Sequence, residues 1–179
     1  MNFFHLIRER HSVRRYTDKA VSKNDIIKCV EASRLAPSAQ NSQPTEFIIL
    51  QDSNKIKEFS KKVFSGVYLP SSFAKKASAI AVLMAKPDFL TNVVGKQLQD
   101  ISYFLLDVGI AGEHFVLQAQ ELGIGTCWIG WFNTKAVRKF FNLPKQYKIL
   151  SLIAMGYPVE NNLKSHKRKS IDDIIYKWD

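Results

Sequence analysis

Apolar residues recur in unbroken steps of three and four from Leu98 through Ile101, Leu105, Val108, Gly112, Phe115 and Ala119 to Leu122. This is a heptad stripe, and it predicts one long helix over 98–122. A helix of about 25 residues is about 37 Å long, more than a small core covers along its whole length. The stripe can therefore be a central core helix, or both core and subunit interface. Phe104, Ala111 and Gln118 flank it. Gly109 and Ala111 thin its surface, and Gly112 and Ala119 are the positions where a second helix could come close.

The shorter patterns fill in the rest. Residues 2–9 read as a short helix with Phe3, Phe4 and Ile7 on one side. Ser22 with Asp25 forms a capping box that opens a helix to about Leu35, and Pro37 stops it. Phe47–Leu50 and Ala77–Ala85 are short apolar runs that suit buried strands. Between them, Asp52 or Ser53 caps a helix ending near Gly66, and 67–72 reads as loop. Residues 86–95 form a connection containing Pro87 and Gly95. Thr126–Gly130 is a further strand, Asn133 caps a helix to about Phe141, and Pro144 closes it. Lys148–Met155 is the last core strand, and Ser170 with Asp173 opens a final helical turn or two. No repeat or long linker divides the chain, so residues 1–179 are expected to form one domain. Helices interspersed with four or so strands predict an α+β sandwich, a mostly antiparallel central sheet covered by helices. No G-x-G-x-x-G follows a strand, which disfavours a Rossmann nucleotide domain.

Composition narrows the function classes. Apolar content of 46% and charged content of 23% are ordinary for a globular chain. The net charge of +10 raises nucleic acid as a partner. Yet the lysines are scattered, and the dense run Lys164–Lys169 has no interleaved aromatics on which bases could stack. Nucleic-acid binding is not expected. No apolar run approaches the roughly 18–20 residues that cross a bilayer. The first residues carry charge where a secretory signal needs an apolar core, so a cytoplasmic location is expected. Cys29 and Cys127 make neither a disulfide framework nor a metal-ligand spacing. Cys29, among Ile26, Ile27 and Val30, reads as a buried small hydrophobe. Histidines at 5, 11, 114 and 166 have no metal spacing, and no Cys/His or Ser/His/Asp pattern suggests hydrolysis. No metal is expected.

Two segments carry candidate chemistry. Arg10, Ser12 and Arg14 alternate, which places all three on one face of an extended segment. Guanidinium is a planar, permanently charged fork that matches phosphate oxygens, and a hydroxyl can fill a remaining acceptor. The second segment, Ala36-Pro-Ser-Ala-Gln-Asn-Ser-Gln-Pro44, is uncharged and rich in hydroxyls and carboxamides, which suit the edge of a neutral heterocycle. A phosphate end and a heterocycle end suggest a mononucleotide cofactor.

The pair R-H-S-x-R and A-P-S-A-x-N-x-Q-P, together with Glu121–Phe132, Ile153–Pro158 and the basic Lys167-Arg168-Lys169, resembles the nitroreductase family of FMN enzymes. The matching segments span residues 10–169 in the family's order. The resemblance implies a homodimer packed about the long helix, with FMN bound between the chains. It implies that Arg10 and Ser12 bind the phosphate, His11 the ribityl chain, and Arg14 the pyrimidine end of the flavin. Pro37, Ser38, Ala39, Asn41 and Gln43 match the segment that contacts flavin from the partner subunit. Gly130 and Trp131 fall where backbone N–H groups point to flavin N5 and O4, the catalytic contacts. Many relatives carry glutamate where this chain has Gly130, so the donor survives and an acid's electrostatic role is lost. Arg168 matches a phosphate contact. His166 replaces the family's lysine in that register, and His166 and Lys167 are left without a role. Nothing in 70–76 matches the amide and lysine that some relatives aim at the ring. The implied activity is reduction of nitroaromatics, quinones or related small-molecule acceptors with NADH or NADPH, by ping-pong hydride transfer through flavin N5. Two alternatives stay open: an FMN storage or sensor protein without turnover, and a flavin enzyme of the same fold with a dehalogenating or flavin-fragmenting reaction.

Overall fold

Ala79–Ala85 forms β2, and every one of its residues is buried. A strand with no polar position must be covered on both faces. β1 (Thr45–Leu50) and β4 (Lys148–Gly156) flank it, and β3 (Gly125–Ile129) pairs with the far side of β4. The order is β1-β2-β4-β3, with every neighbouring pair antiparallel and an irregularity in the β2–β4 register at Leu83/Met84. These elements come from a computed structural model that describes residues 2–87, 100–159 and 167–178. Leu98 of the stripe, residues 88–95 of the connection, and Lys164, Ser165 and His166 lie outside the described residues.

Alternation along β2 feeds two cores. Ile80, Val82 and Met84 join Phe59, Val63 and Val137 on one face. Ala79, Ala81, Leu83 and Ala85 meet Cys29, Val108, Phe115 and Ala119 on the other. The first face is covered by α3 (Ser53–Val63) and α5 (Thr134–Phe140), and the second by α2 (Lys23–Arg34) and α4 (Tyr103–Glu121). α1 (Phe3–Glu9) lies against α4. Among the described residues no helix is long and apolar enough to cross a membrane.

Three starts follow their caps. Ser22 Oγ accepts the Asp25 N–H at 3.0 Å and donates to the Asp25 carboxylate at 2.8 Å. Asp52 accepts the Lys55 N–H at 2.8 Å, and Asn133 the Ala136 N–H at 3.0 Å. Each such cap stabilises its helix by about 0.5–2 kcal/mol. Ser170 and Asp173 do form a reciprocal pair, Oγ to carboxylate at 2.8 Å, but they open only a single turn, closed on the Ile171 carbonyl.

Three expectations need correction. Residues 67–72 are not loop: they belong to a 3-10 segment, Gly66–Lys76, with Pro70 inside it. The segment starts at a glycine with φ of 59°, in the left-handed region that glycine enters without a Cβ clash. The long helix begins at Tyr103 rather than 98, and Ile101 is exposed ahead of it.

The stripe also faces differently. Val108, Gly112, Phe115 and Ala119 all point to the sheet, so Gly112 and Ala119 are core positions and not a helix–helix interface. A Cβ on Gly112 would strike the Trp128 ring and lie 2.8 Å from Leu83 Cδ2. Leu105, on the same stripe, is 50% exposed. A strict heptad drifts about 20° per repeat around a straight helix, which turns the stripe's first positions outward. The apolar face left open is Leu105, Leu106, Gly109 and Ile110. We expect Gly112→Ala to overpack the core and cost about 1–3 kcal/mol, measured as a lower urea midpoint with an unchanged slope.

Candidate functional site

The chain from Ser12 to Thr17 closes the outer edge of β3 and runs on to the end of β4. Ser12 bridges Thr126 in parallel, and the Val13 N–H donates to the Thr126 carbonyl at 2.9 Å. Further on, Tyr16 bridges Pro158, and the Thr17 N–H donates to the Tyr157 carbonyl at 2.8 Å. Val13 is buried against Gly125, where any Cβ would come within 2.6 Å of it. The Tyr16 hydroxyl donates to the Val13 carbonyl at 2.6 Å, and burial pushes its pKa up, so it stays a donor.

With Val13 turned inward, alternation turns Ser12 and Arg14 the other way. Arg14 is exposed. Its Nη1 lies 3.5 Å from the Ser12 carbonyl and its guanidinium 6.0 Å from the Phe73 ring centre. None of the described ion pairs holds it. Arg10 Nε is 3.8 Å from Glu113 Oε1, too far for a hydrogen bond, so its fork is not saturated. His11 Nδ1 sits 2.9 Å from the Glu9 carbonyl.

Gly130 and Trp131 follow β3 and are exposed, Trp131 by 61%. The Trp131 indole N–H donates to the Val67 carbonyl at 2.9 Å, and Ser71 Oγ donates to the Trp131 carbonyl at 2.8 Å. The Tyr68 ring lies 5.5 Å from Trp131. The 3-10 segment thus braces Gly130–Trp131 at one point and meets Arg14 through Phe73 at another. Sequence reasoning missed this role. Its available signal was a run of apolar residues around Pro70, too aperiodic for a helix or strand.

Residues 37–43 sit elsewhere. They form a tight turn in which Gln40, Asn41 and Gln43 take φ of 51°, 55° and 45°. The Gln43 N–H donates to Ser38 Oγ at 2.9 Å, and the Ala39 N–H to Asp107 Oδ1 of α4 at 2.9 Å. Beside the turn is a cavity of about 200 Å³ lined by Ser33, Ser38, Gln43, Thr45, Asp107 and Ala111 among others. None of the described hydrogen bonds or ion pairs joins 37–43 to Arg10–Arg14 or to Gly130–Trp131. Arg168 is exposed in segment 167–178, without a described bond to either group. The described contacts thus hold the candidate residues in two pieces, one through the 3-10 segment beside Arg14 and Trp131 and the other through Asp107 of α4.

The nitroreductase family model matches residues 7–157, which includes both pieces. The chain belongs to the nitroreductase family. A relative in Archaeoglobus fulgidus, whose name joins NADH dehydrogenase with NAD(P)H nitroreductase, is 34% identical over 157 residues, covering 86% of this chain and 83% of that one. An FMN-dependent nitroreductase from Clostridium difficile R20291 is 27% identical with a TM-score of 0.72, covering 97% of this chain and 95% of that one. A nitroreductase family protein from Streptococcus pneumoniae TIGR4 superposes with a TM-score of 0.81 at 25% identity, over 99% of this chain and 100% of that one.

Both thiols of this nitroreductase-family chain are buried. Burial pushes Cys29 up to about 12. Burial also raises Cys127, with the nearby Arg14 charge pulling against it. Since the thiolate is the nucleophile, we expect Ellman's reagent at pH 8 to leave both unmodified in the folded protein and to titrate both in urea. Fast labelling of either one without denaturant would contradict this packing.

Proposed function

We propose that this chain is a cytoplasmic, homodimeric, FMN-dependent oxidoreductase that uses NADH or NADPH to reduce nitroaromatics, quinones or related small acceptors, with residues 1–179 as one FMN-binding domain. The observation that carries the reading is the pair of unsaturated guanidiniums, Arg10 and Arg14, flanking Ser12 on the edge of β3, in a chain of the nitroreductase family. The donor set suits FMN. It offers cations and a hydroxyl for a phosphate, a neutral amide-rich turn for a ring edge, and an exposed backbone at Gly130–Trp131.

When bound, FMN would supply two-electron chemistry between the nicotinamide and the acceptor. Arg10, Ser12 and Arg168 would hold its phosphate, and His11 would bond the ribityl chain. Arg14 places a fixed cation at the pyrimidine end, where negative charge gathers on reduction. The Gly130 and Trp131 N–H groups donate toward N5 and O4. Their main chain is kept in place by Ser71 and by the indole bond to Val67. The protein contributes orientation and hydrogen bonds rather than an acid–base pair.

The dimer supplies the second piece, with Pro37, Ser38, Ala39, Asn41 and Gln43 reaching the partner's flavin. An exposed apolar face supports this assembly: Leu105, Leu106 and Ile110 of α4 are 50%, 53% and 39% exposed, and Phe3 and Phe4 of the adjacent α1 are 60% and 66% exposed. Gly109 lies in that face, with nothing within 4 Å of where its Cβ would be. A backbone can approach closely there.

The purified protein should be yellow and release FMN, not FAD, on denaturation; chromatography of the released cofactor decides this. Arg10→Ala should weaken FMN binding by about 1.5–3 kcal/mol, or about one to two decades in affinity, while the apoprotein stays folded. Unchanged affinity in a titration would reduce Arg10 to a surface cation. Ile110→Glu should shift the protein to monomer and lower flavin occupancy in parallel, read by sedimentation and flavin absorbance on one sample. A monomer that keeps FMN at native affinity would refute the shared site.

A further inference from the structure

We propose that Asp107 is a positioning residue that holds the Ser38–Gln43 turn in the form that meets the flavin; the flavin part rests on the proposed function of that turn. Asp107 is 4% exposed, in the middle of an otherwise apolar stretch of α4. Burying a carboxylate opposes folding unless it is well partnered, and an apolar residue would cover the same helix face with less penalty. Its Oδ1 accepts the Ala39 N–H at 2.9 Å, a bond that ties the turn to the helix. Its Oδ2 is buried and accepts no hydrogen bond from a described residue, and Asp107 borders the cavity that Ser38, Gln43 and Thr45 also line.

The turn needs such a tether. Gln40, Asn41 and Gln43 all occupy the left-handed region, which disfavours residues carrying a Cβ and persists only where surrounding structure imposes it. The other described bonds of the turn are internal: Asn41 N–H to the Ser38 carbonyl, Ser42 N–H to the Ala39 carbonyl, Gln43 N–H to Ser38 Oγ, and the Gln43 side-chain amide to Asn41. These close the turn on itself, and just beyond it the Lys86 N–H donates to the Pro44 carbonyl at 3.0 Å, so Asp107 supplies the described side-chain bond that reaches into the turn from another element. One helical turn further along, Ser33 Oγ donates to the Ala111 carbonyl at 2.6 Å. The same side of α4 therefore pins the end of α2 and then the turn that comes after it.

Asp107→Ala removes the acceptor, and Asp107→Asn keeps an oxygen that can accept the Ala39 N–H. Two readouts on the purified full chain separate the roles: amide hydrogen exchange of Ala39–Gln43 in FMN-free protein, and FMN affinity by titration. Asp107→Ala should speed exchange across the turn and weaken FMN binding, each by about tenfold, with exchange in the β2 core unchanged. Asp107→Asn should restore both to within about threefold. Native exchange in the Ala variant would overturn the tether. Faster exchange with unaltered FMN affinity would overturn the link to flavin. If the native protein binds no FMN at all, the functional reading fails, and the exchange arm alone still decides whether Asp107 fixes the turn.

Discussion

α4 can lie close to the sheet because Gly112 has no side chain, and the Trp128 ring and Leu83 fill the space a Cβ would need. β2 helps from below by presenting Ala79, Ala81 and Ala85 on that face, small residues that let the helix approach. This one contact fixes the helix's rotation about its axis. With Gly112 inward, Val108, Phe115 and Ala119 are inward too, while Leu105, Leu106, Gly109 and Ile110 are left outside. The same rotation brings Asp107 to the Ala39 amide and Glu113 near Arg10. Packing in the core thus determines which groups reach each part of the candidate site.

The candidate residues are held by two sets of contacts. Ser12 bridges β3, and the 3-10 segment meets Arg14 and Trp131, while Pro37–Gln43 is anchored on α4 by a separate bond. In the proposed dimer, the second group serves the neighbouring chain. Cofactor binding and association are then thermodynamically linked, since a ligand that contacts both subunits favours the assembled state. In that proposed dimer, burial of the open apolar face of α4 and α1 would drive association, as buried apolar area does at any interface.

Much of this was legible in the chain because its signals are local. The caps at Ser22, Asp52 and Asn133 announce three helix starts, and the apolar run of β2 announces a strand covered on both sides. The Arg10, Ser12 and Arg14 alternation predicts an extended segment, and Val13 does pack inward against Gly125 between Ser12 and Arg14. What failed was non-local. A stripe shows that a helix has an apolar face, but the partner of that face is decided by shape, and Gly112 as a slot for Trp128 cannot be distinguished from Gly112 as a contact between subunits. The 3-10 segment has no period to read. Asp107 looks like an ordinary surface carboxylate until the turn that uses it is in place.

The Ser12–Thr17 segment has a consequence for how the protein comes into being. Its backbone hydrogen bonds go to residues far along the chain, and the bond from the Thr17 N–H to the Tyr157 carbonyl joins positions 140 apart. Contacts of such separation carry a large loop-closure entropy and form late, after the local helices and hairpins. During synthesis the arginines leave the ribosome first but have no strand to rest against until β3 and β4 have emerged. The cation pair therefore takes its place near the end of folding, and a chain cut short before β4 would carry every residue of the R-H-S-V-R motif without the edge that aligns them.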